Sequence, residues 1–167
     1  MTLPASGQIT LNQVNVELGN SGTAQIDMNS SAVRSLFERP SGQISLSDGR
    51  GKSSVFAFTI SSSTKQANLS TLATAAGWNG TSIVEATVAS SVYLWSDSTS
   101  TAGLTISGSF PNGVTLFNNG KIIGRGGNGS NSTSAGGNGG PAVSISSAGV
   151  TIRNNSGAYI AGGGGGG

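Results

Sequence analysis

Three short segments near the start of the chain share one alternation: Gln8-Ile9-Thr10-Leu11, Gln25-Ile26-Asp27-Met28 and Gln43-Ile44-Ser45-Leu46. Apolar residues at every second position predict short half-buried strands. Each copy ends beside a residue suited to cap a helix, at Asn12, Asn29 and Ser47. After the first, Val14, Val16 and Leu18 run up to Gly19, which predicts one or two helical turns with a glycine stop. After the second, Asn29 or Ser30 opens a predicted helix over residues 32–38 that Pro40 ends. Pieces this small cannot bury an apolar face alone. They are expected to pack on one another or on a neighbour, as a docking module would, with Leu11, Val14, Val16, Leu18, Val33, Leu36 and Phe37 as its apolar residues.

A different pattern begins after the turn-rich residues 47–53. Residues 55–60 read as a strand, and residues 69–76, opened by Asn68 and stopped by Gly77, as a short amphipathic helix. Strand-like runs follow at 82–86, 91–95 and 104–107, with Trp78 and Trp95 expected as core or inter-strand anchors. Residues 113–124 and 149–160 then repeat one another, and Leu104-Thr105-Ile106-Ser107 matches Val143-Ser144-Ile145-Ser146. Alternating apolar and hydroxyl residues broken at Asn-Asn turns predict short stacked strands, two rungs of a β-solenoid or β-prism. The expected fold is therefore mainly β: a small α+β docking module over 1–53, a β-rich region with one helix over 54–102, and repetitive rungs over 103–167. Glycine-rich tracts at 124–140 and 162–167 follow the same point of both repeats. They fit either a flexible linker or packed left-handed extended helices, and their matched placement favours order. A chain that stops within six glycines reads as interrupted.

Composition narrows the functions. Glycine supplies 28 of 167 residues and only 8% are charged, while 35% are hydrophobic, which does not fit a disordered chain. The net charge is +2, and Lys52, Lys65, Lys121, Arg125 and Arg153 are scattered, so no nucleic-acid surface is expected. Neither Cys nor His occurs, which excludes disulfides, thiolate nucleophiles and the usual zinc sites. The six acids stand one at a time, and only Glu85 and Asp97, flanking neighbouring strands, could form the facing pair that glycoside hydrolysis needs. Their simpler reading is a solvated strand edge. Gly49-Arg50-Gly51-Lys52-Ser53 ends like a phosphate loop but has Leu46 where glycine is required; Gly124-Arg125-Gly126-Gly127-Asn128-Gly129 matches dinucleotide spacing with no helix behind it. Neither catalysis, a cofactor nor a metal is expected. No apolar run approaches the ~18 residues of a membrane helix, and Met1-Thr2-Leu3-Pro4 lacks signal-peptide features, so synthesis in a cytoplasm is expected.

The run from Pro4 to Gly19, with Ala32-Val33-Arg34-Ser35-Leu36-Phe37 and the stretch from Pro40 to Ser53, resembles the opening segment of tailed-phage fibre and tail-tip proteins. Residues 75–81, 108–116, 118–127 and 156–162 are similar to glycine-rich receptor-recognition regions of phage tail fibres and adhesins. The resemblance implies a virion protein assembled in the host cytoplasm, a homotrimeric fibre, contacts with other tail or baseplate proteins, and attachment to a host glycan or outer-membrane protein. For adhesion the candidate contacts are Asn118, Asn119, Lys121, Arg125, Asn154, Asn155 and Tyr159; turn chemistry is the alternative role for each Asn. A purely structural tail-tip or baseplate connector and a polysaccharide depolymerase are the rival functions.

Overall fold

The three Gln-Ile segments do not form strands. In the computed structural model, which describes residues 2–131 and 133–167, each is extended but unpaired and leads into a helical turn. Among the described residues no strand lies alongside them to complete a ladder, and a strand without one leaves its backbone groups unsatisfied. Helix α1 spans Leu11–Glu17 and is capped by Thr10, not Asn12: Gln13 N donates to Thr10 Oγ1 while Thr10 N donates to Gln13 Oε1. Helix α2 spans Ser31–Leu36 with Ser30 as its cap. The third copy enters a 3-10 turn, Leu46–Gly49, held by Ser45 N donating to Asp48 Oδ2 at 2.8 Å.

The chain divides into two compact units, Met1–Phe56 with Thr81–Ile83, and Ala57–Gly80 with Val84–Gly167. In the first, the isoleucines of all three copies converge. Ile9 is buried with Leu3, Val14, Val33, Leu36 and Phe37, and Leu18, Ile26, Met28, Ile44 and Leu46 pack around them. Val14, Val33, Leu36 and Phe37 thus serve this unit's own core, whereas Leu11 and Val16 are exposed. Buried Glu17 accepts from Ser54 N at 2.8 Å and from Ser53 Oγ at 3.2 Å, tying the end of the unit to α1. Arg34 donates to the carbonyls of Arg39 and Gly42, both at 2.9 Å, holding the third copy beside α2.

The second unit is built on strands β1 (Val55–Ile60), β2 (Thr64–Lys65), β3 (Ala67–Asn68), β4 (Ile83–Val88), β5 (Tyr93–Trp95), β6 (Leu104–Ile106), β7 (Val114–Asn118), β8 (Lys121–Ile123), β9 (Val143–Ile145), β10 (Val150–Asn154) and β11 (Tyr159–Ala161), with helix α3 (Leu69–Ala75). The chain visits three sheets in rotation, giving the orders β1-β4-β7-β10, β2-β5-β8-β11 and β3-β6-β9. The registered pairs within them are parallel. Strands from the two sides of residue 102 adjoin in all three sheets, β4 beside β7, β5 beside β8 and β3 beside β6.

Strand alternation puts one side chain in two inside. Ala86, Leu116 and the partly buried Ile152 form one ladder, Leu94 and Ile122 another, which ends on Ile160, 37% exposed, and Leu104 with the partly buried Val143 a third. Leu94, Leu104, Leu116 and Ile122 have no exposed surface. Residues matched in the sequence repeats are neighbours across the ladder: Val114 faces Val150, Asn118 faces Asn154 and Leu104 faces Val143. Beyond the turn the register moves by two, Lys121 pairing with Tyr159, because residues 155–158 connect β10 to β11 where Asn119 and Gly120 connect β7 to β8. A shift of two keeps inside residues inside. Trp78 stacks on Phe110 with centroids 5.1 Å apart. Trp95 corrects the expectation of a core anchor, since it is 41% exposed on the outer face of β5.

The glycine tracts are hydrogen-bonded to one another. Gly124, Gly127 and Ser130 donate to the carbonyls of Ala161, Gly164 and Gly167 at 2.9, 2.8 and 2.7 Å. Gly137 and Gly140 donate to Asn128 and Arg125, and Gly163 and Gly166 donate to Gly140 and Gly137. Donors fall at every third residue, the period of a left-handed extended helix that forms no hydrogen bonds within itself. The third-residue rule also says where glycine is required: a Cβ on Gly127, Gly136, Gly139, Gly163 or Gly166 would overlap a backbone carbonyl of the neighbouring segment.

Gly139→Ala is therefore expected to open the contact with Gly163 at a cost of about 1–3 kcal/mol, seen as faster amide exchange at Gly137, Gly140, Gly163 and Gly166. Gly164→Ala, whose Cβ would meet nothing within 4 Å, is the control and is expected to leave those exchange rates unchanged.

Candidate functional site

The outer face of the sheet β2-β5-β8-β11 gathers most of the unit's exposed aromatic and basic side chains. Leu94 and Ile122 point inward, so alternation turns Tyr93 and Trp95 on β5, and Lys121 and Ile123 on β8, outward. Tyr93, Lys121 and Tyr159 are register partners and form one column; Lys65, Trp95, Ile123 and Ala161 form the next. Tyr93, Trp95 and Tyr159 are 40%, 41% and 43% exposed.

Lys121 is the centre of the first column. Its Nζ donates to Tyr93 Oη at 2.7 Å and lies 4.5 Å from the Tyr93 ring centroid and 5.8 Å from that of Tyr159. An ammonium is attracted to the electron-rich face of a phenol ring. The hydrogen bond that Lys121 donates to Tyr93, with the two phenol groups beside it, holds the pKa of the Lys121 ammonium above the usual lysine range. In the second column Lys65 sits 6.0 Å from the Trp95 ring centroid and pairs with Asp97 at 2.9 Å. That bond from Lys65 holds the Asp97 carboxyl below its ordinary range. Gln66 Nε2 also donates to Asp97 Oδ1 at 3.0 Å, and Arg125 Nη1 donates to the Asp97 carbonyl at 2.8 Å.

The asparagines have a different task. Asn118 is fully buried; its Nδ2 donates to Asn154 Oδ1 at 2.7 Å and its Oδ1 accepts from Gly120 N at 3.1 Å. Asn155 Nδ2 donates to Asn119 Oδ1 at 2.7 Å, and Asn154 Nδ2 to the Ala158 carbonyl at 3.0 Å. These contacts stack one turn on the next. Asn118 is thereby corrected as a contact residue, because an external ligand cannot reach a side chain without exposed surface. Asn119, Asn154 and Asn155 retain surface but spend amide groups on this ladder.

Of the residues singled out in the sequence, Lys121 and Tyr159 come together, with Arg125 reaching the Asp97 end of the second column. Tyr93, Trp95 and Lys65 were not singled out as contacts; the signal was the Tyr93-Leu94-Trp95 alternation, which becomes informative only once Leu94 is known to be buried. Glu85 and Asp97 are not paired: Glu85 faces Thr115 in the first sheet, and Asp97 follows β5 in the second and is held by Lys65. Among the described residues no group of three acids could hold a metal ion, and no helix is long and apolar enough to cross a membrane.

The family model described as phage tail fibre adhesin Gp38 matches residues 55–167, from the first residue of β1 to the last glycine. The chain belongs to this family. The adhesin is accordingly a virion component with an adhesive role in the phage tail. No curated protein and no solved structure matches the chain.

Two expectations follow. Asn118→Ala strands the Gly120 amide and the Asn154 oxygen, and is expected to cost about 1–3 kcal/mol in chemical denaturation. Tyr93→Phe removes the main support of the Lys121 ammonium. A raised lysine pKa contributes stability below the unfolded lysine value that is lost as pH rises through the folded one. Tyr93→Phe is thus expected to lower the Lys121 titration midpoint toward the ordinary range, measured by NMR of the lysine side chain.

Proposed function

We propose that this tail fibre adhesin attaches to the virion through its N-terminal unit and recognises the host surface through the outer face of β5, β8 and β11. The observation that carries the recognition half is the Tyr93–Lys121–Tyr159 column beside Trp95. Exposed tyrosine and tryptophan give large contact area with few rotors to freeze, and with arginine they dominate binding energy at interfaces. In a chain with 8% charged residues, a face that also carries Lys65, Asp97, Lys121 and Arg125 is set apart from the serine- and threonine-rich remainder. The attachment half is supported by the separate core of the first unit, by its exposed Leu11 and Val16, and by its resemblance to the opening segments of fibre proteins. The family match begins at residue 55 and leaves residues 1–54, most of that unit, outside the part shared with other adhesins.

Finer points of the same reading are that the rotation through three parallel sheets is a β-solenoid, that the fibre-like resemblance carries a homotrimeric assembly with it, and that the protein binds without catalysis. The last is supported by the ion pair that occupies Asp97 and by the absence of histidine and cysteine from the sequence. Light scattering is expected to give about three times the 16.4 kDa chain mass, and incubation with host polysaccharide is expected to release no new reducing ends.

Purified protein is expected to compete with phage for adsorption to its host. The triple variant Tyr93→Ala, Trp95→Ala, Tyr159→Ala should compete at least about tenfold less well with an unchanged thermal melt; equal competition would move recognition to another surface. Phage carrying Leu11→Asp and Val16→Asp should lose the protein from purified virions, measured by immunoblot, while the isolated variant keeps its circular dichroism.

A further inference from the structure

The outer face has a charge pattern that narrows what it binds. Three acids form ion pairs with Arg39, Lys52 and Lys65; among the described residues none pairs with Lys121. Lys121 instead rests between two phenol rings, with one of its three donors used on Tyr93 Oη. Lys65 is neutralised by Asp97, so the unbalanced positive charge of the face sits on Lys121 and on Arg125, whose guanidinium bonds only the Asp97 carbonyl and Asn128 Oδ1.

Dimensions add a second constraint. Neighbouring strands are about 4.8 Å apart and alternate residues along a strand about 7 Å apart. The two tyrosines of the column are therefore about 10 Å apart with the ammonium midway, and Trp95 lies about 7 Å along β5 from Tyr93. A pyranose ring is about as wide as one strand spacing, and its axial C–H groups carry the partial positive charge that an aromatic face attracts. Rings at these separations can support two linked sugars, with an acidic substituent of one of them reaching the ammonium.

We propose that the Tyr93–Lys121–Tyr159 column, continued by Trp95, binds an acidic saccharide, a sugar carrying a carboxylate that pairs with Lys121 while its ring and its neighbour stack on the aromatic side chains. This rests on reading the face as the host-recognition surface and names the ligand class there. A neutral sugar would cover the ammonium without giving it a counter-ion, a cost without return. A phosphate monoester, with charge near −2, would need two cations side by side, whereas Lys121 is the single cation of the Tyr93–Lys121–Tyr159 column. Nucleic acid needs the clustered cations that this chain lacks.

The test uses the full chain and three probes: oligosaccharides containing glucuronic, galacturonic or sialic acid, each alongside its methyl ester, with binding read by calorimetry and by NMR shifts of Lys121. At least one acid form is expected to bind about tenfold or more tightly than its ester, to weaken as salt rises, to lose about tenfold in Lys121→Met, and to be largely retained in Lys121→Arg. The second variant guards against Lys121→Met acting through folding. Whole-cell binding is measured in parallel. Cell binding that depends on Tyr93, Trp95 and Tyr159 but is unchanged in Lys121→Met, with none of the three acids bound, would overturn the ligand class and leave the recognition face standing. Equal binding of acid and ester would also overturn it, as would preference for a phosphorylated oligosaccharide. Loss of all cell binding to this face, in every variant and the parent alike, would overturn the recognition reading and the saccharide with it.

Discussion

Parallel register is the constraint on which the second unit depends. Val84, Val114 and Val150 stand in one row, as do Leu94, Ile122 and Ile160, and Val84, Val114, Leu94 and Ile122 are buried because the rows on either side are in phase. A slip of one residue would turn Leu94 and Ile122 out and Tyr93 and Lys121 in. The outer face and the core are thus two readings of one alternation. The Tyr93–Lys121–Tyr159 column exists because the interior ladder holds three successive visits of the chain in step.

Where the chain turns between sheets, asparagine does the holding. A turn needs its backbone groups satisfied, and in the stack of β7 on β10 the amides of Asn118 and Asn119 meet those of Asn154 and Asn155. The same polar chemistry that makes an asparagine-rich loop look adhesive is consumed in linking one turn to the next. Glycine takes over where three extended segments run together, because each hydrogen bond there brings a neighbouring carbonyl into the space a Cβ would fill. The composition, poor in charge and rich in glycine, follows from these two packing problems.

Against that background the charged groups of the outer face have clear partners. Lys65 and Asp97 neutralise one another beside Trp95, while Lys121 lies against the phenol groups of Tyr93 and Tyr159. An ammonium held by aromatic faces keeps its charge available to a ligand, which an ion pair does not. The proposed recognition role of this face rests on that geometry and on membership in the adhesin family, whose match begins at residue 55.

Much of this was legible in the sequence. The repeats at 113–124 and 149–160, the strand periods and the helix opened by Asn68 are all readable from local sequence, and they suffice for a mainly β chain, while the composition shows that it carries neither imidazole nor thiol. The Gln-Ile segments misled, because alternation predicts a strand only when a neighbour pairs with it, and none of the three segments is paired. Asn118 misled for the opposite reason, since a residue typical of exposed turns is buried when turns stack. Which of Tyr93, Leu94 and Trp95 faces out, and that Tyr93, Lys121 and Tyr159 meet although 28 and 38 residues separate Lys121 from its partners, was decided by register alone. Register is a property of strand pairs, settled when distant segments bury their apolar sides together, and no single segment contains it.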